Sequence, residues 1–180
     1  MINEIEVRFR NEYKKPRKRA KALNEYIVYL LENDHILEAN HYLNILLELK
    51  PKHDKSLSLG YKIAIRMFDF ERVGFFDREL IGVKAKDDLI MFLKLEYYCS
   101  IKSTKRIDLC LEWFCEQLTI NTAHIGLVIE ASLIIKKYEL IVKVLKLMNK
   151  KRLEPSESTG KIYKEIALEK LVKTLRMVQS

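Results

Sequence analysis

Six basic side chains lie within eight residues near the start of the chain, in the run Lys14–Lys21. Clusters of ammonium and guanidinium groups attract phosphates and acidic proteins, so the run is a candidate basic patch for an anionic partner. The favoured interpretation is a solvated surface that leads into the first helix, and a binding role is the alternative. Nucleic-acid binding usually adds aromatic side chains that stack on bases, and only Tyr13 and Tyr26 lie near the run. The patch comprises Lys14, Lys15, Arg17, Lys18, Arg19 and Lys21.

The residue types that most often perform catalysis or hold metals do not form a recognisable set. The histidines, His35, His41, His53 and His124, show no i, i+4 pair on one helix and no zinc-protease spacing. The three cysteines make an odd count without a CxxC pair, which argues against a disulfide framework or a metal site. The sequence contains no Gly-rich phosphate loop. We therefore expect a non-enzymatic protein without metal or cofactor, whose cysteines are buried thiols.

The composition predicts a helical protein. Hydrophobic residues make up 48% of the chain and can supply a core, whereas five glycines and three prolines are few for the many turns of an all-β protein. The apolar run Ile125–Ile135 is interrupted by Glu130 and is shorter than the roughly 20 residues that a membrane span needs. The N-terminus lacks the apolar core of a secretory signal. We expect no membrane span and a cytoplasmic location.

Apolar residues recur at a spacing of 34 residues, which indicates helices that repeat along the chain. Ala39, Val73, Ile107 and Ile141 are the four members of this series. In the first unit a large apolar residue follows four positions after Ala39, and Pro51 ends the segment because proline cannot continue a helix. This pattern resembles the second helix of the tetratricopeptide (TPR) repeat. The resemblance covers about residues 20–155, although no unit carries the full set of consensus residues.

The resemblance implies an all-α fold, a right-handed superhelical array of antiparallel helix pairs. Two short amphipathic helices cannot bury their apolar faces alone, and stacking the pairs makes a continuous core. We expect a basic N-terminal segment (1–19), four repeats (20–155) and a C-terminal capping helix (156–180). That last helix reaches Ser180 without a glycine or proline stop, which suits an N-terminal domain of a longer protein as well as a natural frayed end. The predicted pairs are 20–33 with 35–49, 54–67 with 70–82, 87–101 with 104–118, and 122–136 with 138–151.

Two local features need a separate prediction. The stretch Glu4–Arg10 alternates apolar and charged residues like a strand, but Ile5, Phe9 and Tyr13 also share a helical face. We favour a helix, because a lone strand would have no partner. In the second repeat Asp77 occupies the position of the large apolar residue, and we expect Phe76 to take the buried place one residue earlier.

The resemblance also implies a partner-binding groove on the concave face, formed by the first helix of each repeat. The lysine and asparagine set with which chaperone-binding members hold a C-terminal carboxylate is not reproduced, so a chaperone-tail receptor is not expected. The inward positions carry mainly basic residues in the N-terminal half and apolar or acidic ones beyond it. These positions are Lys21, Asn24, Val28, Lys62, Arg66, Leu89, Phe92, Glu96 and Glu130, with Lys55, Ser58 and Gly126 in the same register.

The function predicted from these features is a non-catalytic protein–protein interaction or scaffold module. Its partner would be a protein or peptide of acidic character, held in the groove. Two alternatives stay open. One is a basic helical module that binds nucleic acid. The other is an accessory domain of a larger bacterial glycan-assembling enzyme, which rests on analogy of fold alone.

Overall fold

A computed structural model describes residues 4–116, 122–137 and 140–141, and every regular element within these ranges is an α-helix. The all-α prediction is therefore confirmed for these residues. None of the helices in these ranges is long and apolar enough to cross a membrane. The eight helices of the described residues are α1 (Glu4–Tyr13), α2 (Arg19–Glu32), α3 (Ile36–Leu49), α4 (Asp54–Arg66), α5 (Phe70–Gly82), α6 (Asp87–Ser100), α7 (Thr104–Glu116) and α8 (Thr122–Ile134).

The chain divides into two compact units, Met1–Ser100 and Ile101–Ser180. In the first unit, α2 pairs with α3 and α4 pairs with α5, each across a connection of three residues. Such short connections join antiparallel neighbours, so both pairs are helical hairpins. Helix α1 packs on α2, and α4 contacts both α2 and α6. In the second unit, α7 packs against α8.

Left-handed backbone recurs in the connections that follow the helices. Asp34, Phe68, Lys102 and Lys136 all have φ between 52° and 60° and stand 34 residues apart, and Lys84, outside this series, has φ of 56° after α5. After α2, the amide of His35 donates to the carbonyl of Leu30, which is the six-residue hydrogen bond of a Schellman motif. Asp69 and Lys137 donate in the same way after α4 and α8. The backbone of these turns therefore carries the same period as the apolar series.

The core follows the apolar series that the sequence predicted. Ala39, Val73, Ile107 and Ile141 are all buried. Phe76 is also buried, whereas Asp77 is only partly covered, so the shift of register in α5 is confirmed. Below Phe76 lies Gly60 of α4, where a Cβ atom would stand 2.3 Å from the phenylalanine ring. The close approach of α4 and α5 therefore depends on this glycine.

The N-terminal segment forms a helix, as predicted. Phe9 on α1 is buried and stacks on Tyr26 of α2 with ring centres 4.1 Å apart. Tyr42 of α3 meets both rings edge-on. The predicted division into segments 1–19, 20–155 and 156–180 stays a prediction, because the capping helix and most of 138–151 lie outside the described residues.

Candidate partner-binding surface

Helix α4 is the most enclosed helix of the first unit's two hairpins, and its accessible residues form one stripe. Eight of its residues are buried, among them Ser56, Gly60 and Tyr61. The side chains that remain accessible after the first residue of the helix lie three or four positions apart, which places them on one face. They are Lys55, Ser58, Lys62 and Arg66, the set that the repeat register places inward. We call these four residues the α4 stripe.

A neighbouring aromatic side chain extends the α4 stripe onto α6. The Nζ atom of Lys62 lies 5.3 Å from the ring centre of Phe92, which is within the range of a cation–π interaction. The structure thus brings together two residues that the sequence assigned to the groove. On α2, which also contacts α4, Val28 is exposed. The surface therefore combines cations with apolar side chains.

Arg66, at the end of the α4 stripe, has a partner on the first hairpin. Its Nη1 atom lies 2.9 Å from the Oδ1 atom of Asp34, in the turn between α2 and α3. Both side chains are largely exposed, and ion pairs of this kind contribute only about 0–1 kcal/mol. A carboxylate from a binding partner could replace Asp34 at small cost.

The other residues assigned to the groove have varied surroundings. Asn24 is partly buried and its amide donates to the carbonyl of Ala20, one turn earlier on α2. Leu89 packs against the core of the first unit. Glu96 is partly buried on α6. Glu130 is exposed on α8, in the second unit.

The basic patch surrounds the connection between α1 and α2. Lys14, Lys15, Arg17 and Lys18 are exposed there. Arg19 is engaged locally, since its guanidinium lies 5.0 Å from the ring centre of Tyr13 and its Nε donates to the Tyr13 carbonyl. Lys21, the sixth member of the patch, is exposed as well, and Lys18 lies 3.6 Å from the Glu12 carboxylate. Lys14, Lys15 and Arg17 therefore stand with Lys21 as the cations most accessible to an anionic partner.

A pocket of about 330 Å³ lies between the N-terminal parts of α2 and α4. Lys21, Asn24 and Glu25 line it from α2. Lys50, His53 and Lys55 line it from the segment that leads into α4. Lys21 and Asn24 were both predicted to line the groove, and Lys21 was also assigned to the basic patch. In the structure both residues line this pocket. Sequence reasoning missed Lys50 and His53, although the basic stretch 50–55 could have pointed to them.

The titratable groups of the described residues include one tyrosine with a strongly shifted pKa. Burial, with the nearby Glu38 carboxylate, raises the pKa of Tyr26 to about 12. The Tyr26 hydroxyl and Oε1 of Glu38 are 3.3 Å apart. This pair joins α2 to α3 and lies in the aromatic cluster with Phe9. Among the described residues, no group of three or more His, Cys, Asp or Glu side chains could hold a metal ion.

Neither a family model, nor a curated protein, nor a solved structure matches this chain.

Proposed function

We propose that the chain is a tetratricopeptide-like helical array that binds an acidic protein segment without catalysis, on the surface formed by α2, α4 and α6. The observation that carries the proposal is the α4 stripe, because the most enclosed helix leaves three cations and one hydroxyl accessible along a single line. Packing in the core accounts for the apolar identity of the buried residues of α4. It does not require the cations at the accessible positions, and we assign those cations a role in binding.

The periodic features of the chain support the array. The buried series that begins at Ala39 and the left-handed turn residues that begin at Asp34 both recur every 34 residues. Stacked helix pairs with a right-handed superhelical path are the arrangement that the resemblance implies for such a period. The array and its handedness are part of the proposal.

The surface chemistry favours an acidic segment that also carries an apolar side chain. Lys62 and Arg66 would attract carboxylates, chiefly by steering and orienting the partner. Phe92 and Val28 would contact an apolar residue of the same segment, so part of the affinity would persist in salt. Binding to a nucleic-acid backbone, the alternative, would instead weaken steeply with salt because neutralised phosphates release counterions.

A peptide display library screened against the full chain tests the proposal. We expect selected peptides to be enriched in Asp and Glu next to an apolar residue. The double variant Lys62→Glu/Arg66→Glu should weaken the best peptide at least about tenfold, since charge reversal replaces attraction by repulsion. Phe92→Ala should weaken it too, by a factor that changes little with salt, whereas the loss from the charge reversal should shrink at high salt.

Arg78→Glu is a control for a single charge reversal, half the change of the double variant, because Arg78 is exposed on α5, outside this surface. It should leave peptide affinity within about twofold of the wild type. Circular dichroism would establish that each variant keeps its helix content. Selection of neutral or basic peptides, or affinities that do not respond to either groove variant, would contradict the proposal.

A further inference from the structure

The connections of the first unit lie at two opposite ends of its helices. The turns within the two hairpins, 33–35 and 67–69, meet at one end, where Arg66 contacts Asp34. The connections that lead into α2, α4 and α6 lie at the other end, where the starts of α2 and α4 line one pocket. Helix α4 has thirteen residues, which separates the two ends by about 20 Å. We call them the turn end and the connection end, and the connection end comprises segments 14–18, 50–53 and 83–86.

The two ends carry charge of opposite sign. The three connection segments hold eight Lys and Arg residues, all exposed, and no Asp or Glu. With two flanking residues on each side, they hold ten basic residues against five acidic ones, a net charge of +5. The two turns, counted in the same way, hold four acidic residues against one basic residue, a net charge of −3. The charge of the first unit is therefore divided between its ends.

Each end also exposes large apolar side chains. At the turn end, Phe68 and Phe70 are 68% and 49% exposed, and the Phe70 ring lies 5.8 Å from that of Tyr97 on α6. At the connection end, Leu49 and Ile81 are exposed in the last turns of α3 and α5. Both ends therefore combine charge with apolar area, which is the composition of a contact surface.

Phe68 is an independent observation that points to a partner at the turn end. Its backbone has φ of 55°, a left-handed conformation that is unfavourable for a residue with a Cβ atom. Its exposed ring buries little surface within the chain, so packing does not explain a phenylalanine at this position. Strained backbone concentrates at functional sites, and exposed aromatic rings are frequent anchors in protein interfaces. A contact with a partner accounts for both features.

We propose that the turn end docks on the connection end of a second copy of this chain. The opposite charges of the two ends make them complementary, and Phe68 and Phe70 would pack against Leu49 and Ile81 of the second copy. Such a contact joins two different surfaces, so each copy keeps one free end and association continues into a row. The proposal does not depend on the peptide surface, and its test changes no residue of the α4 stripe.

Sedimentation equilibrium of the full chain over a wide range of concentration tests the association. We expect the average mass to rise from the 21.4 kDa of the monomer and to continue past the dimer. A mass that stops at the dimer would indicate a symmetric contact and contradict the proposal. A chain that stays monomeric throughout would leave the turn end to a different partner and overturn the second copy as its occupant.

Two double variants test the two ends separately. Phe68→Gly/Glu32→Lys changes the turn end, and Lys52→Glu/Lys86→Glu changes the connection end. Each new charge suits its helix terminus, since Glu32 ends α2 and the two lysines precede α4 and α6. Each variant alone should associate at least about tenfold more weakly than the wild type. Association that persists in either variant would overturn the end-to-end contact.

Mixing the two double variants is the decisive control. The mixture retains one intact turn end and one intact connection end in each pair of copies, so we expect a dimer that does not grow further. Misfolding or a general change of charge would not be reversed by mixing. A mixture that stays monomeric would contradict the proposal.

Phe68→Gly alone separates association from folding. It should weaken association about fivefold, while the melting temperature of the dilute monomer rises because glycine relieves the strained backbone. The control Phe75→Ala removes another exposed ring of α5, between the two ends, and should change association by less than about twofold. Equal losses in both variants would show non-specific apolar association and overturn the site.

Discussion

The two helices of the second hairpin have the same length and different surroundings. Helix α4 buries eight of its thirteen residues, whereas α5 buries three, Val73, Phe76 and Leu80. The difference arises because α4 packs against α2, α3 and α6 as well as against its hairpin partner. Packing therefore determines most side chains of α4, and the few accessible ones are where function can reside. On α5 the buried set is a narrow apolar stripe, and the other face is free to vary.

Glycine shows the same difference most sharply. A Cβ atom on Gly60 of α4 would lie 2.3 to 2.8 Å from three atoms of the Phe76 ring. On α5 the nearest atom to such a Cβ on Gly74 is the Nη1 atom of Arg78, at 3.6 Å, and nothing lies within 4 Å of one on Gly82. The same residue type is thus required by contact in one helix and not in the other.

Gly60→Ala should produce the largest effect. The Phe76 ring is buried and cannot move away as the end of an exposed chain would, so we expect a loss of about 3 kcal/mol in the free energy of unfolding. Gly74→Ala is the control and should gain about 0.5 to 1 kcal/mol, because alanine favours helix and Arg78 can move. Urea denaturation measures both. Equal effects of the two substitutions would show that α4 and α5 are not packed as described.

The sequence predicted those features that depend on local pattern. The predicted starts at 54, 70, 87, 104 and 122 are the first residues of the corresponding helices. The burial of Phe76 in place of Asp77 could be predicted, because a carboxylate is not buried at an apolar repeat position and the nearest large apolar residue takes that position instead. The peptide surface and the basic patch were assigned from register and charge, and their binding roles stay predictions.

The pocket could not be predicted from sequence, for a physical reason. It requires Lys21 to lie close to Lys50 and Lys55, which are about 30 residues away in the chain and come together only when α4 packs on α2. The turns after the helices were also not predicted in detail. Left-handed backbone is usually signalled by glycine, and here Asp34, Phe68, Lys84, Lys102 and Lys136 adopt it instead. The way in which each helix ends imposes the conformation on residues that mostly do not favour it.

A pH titration extends the comparison to the first hairpin. Tyr26, on the first helix of that hairpin, is buried, and its pKa of about 12 lies above the ordinary value of 10. The folded state holds the tyrosine proton more tightly than the unfolded state does. The resulting stabilisation of the folded state is fully present below pH 10 and is lost as the pH rises towards 12. The loss should reach about 2 kcal/mol at pH 12 and about 2.8 kcal/mol well above it, since the pKa is raised by about two units and each unit corresponds to about 1.4 kcal/mol.

Urea midpoints measured from pH 9 to pH 12 would reveal this loss as a slope. Tyr26→Phe should remove that part of the slope, because phenylalanine has no proton to lose. Glu38→Gln should reduce it only in part, since burial is the larger cause of the shift in the pKa of Tyr26. A Tyr26→Phe variant with the same slope as the wild type would show that the tyrosine ionises equally easily in the folded and unfolded states.

A substitution in the connection between α4 and α5 is expected to have the smallest effect on stability. It tests the backbone conformation of the turn that joins the two helices. Phe68 has φ of 55° and is 68% exposed, so its side chain contributes little burial to offset a strained backbone. The left-handed region costs a residue with a Cβ atom roughly 1–2 kcal/mol, whereas glycine adopts it freely. The greater freedom of glycine in the unfolded chain offsets part of this gain. We therefore expect Phe68→Gly to raise the free energy of unfolding by about 1 kcal/mol, a shift of about 2–4 °C in the melting temperature.

Phe68→Ala and Asp34→Gly are the controls that separate backbone strain from the loss of the Phe68 ring. Alanine keeps the Cβ atom and therefore the strain, so Phe68→Ala should gain little. Asp34 occupies the equivalent position after α2, but its carboxylate pairs with Arg66 and aspartate tolerates left-handed backbone better than phenylalanine does. Asp34→Gly should therefore gain less than Phe68→Gly. If Phe68→Gly instead lowers the melting temperature, the exposed ring stabilises the hairpin through its contacts. If Phe68→Gly and Phe68→Ala gain equally, the cost lies in the exposed ring and not in the backbone.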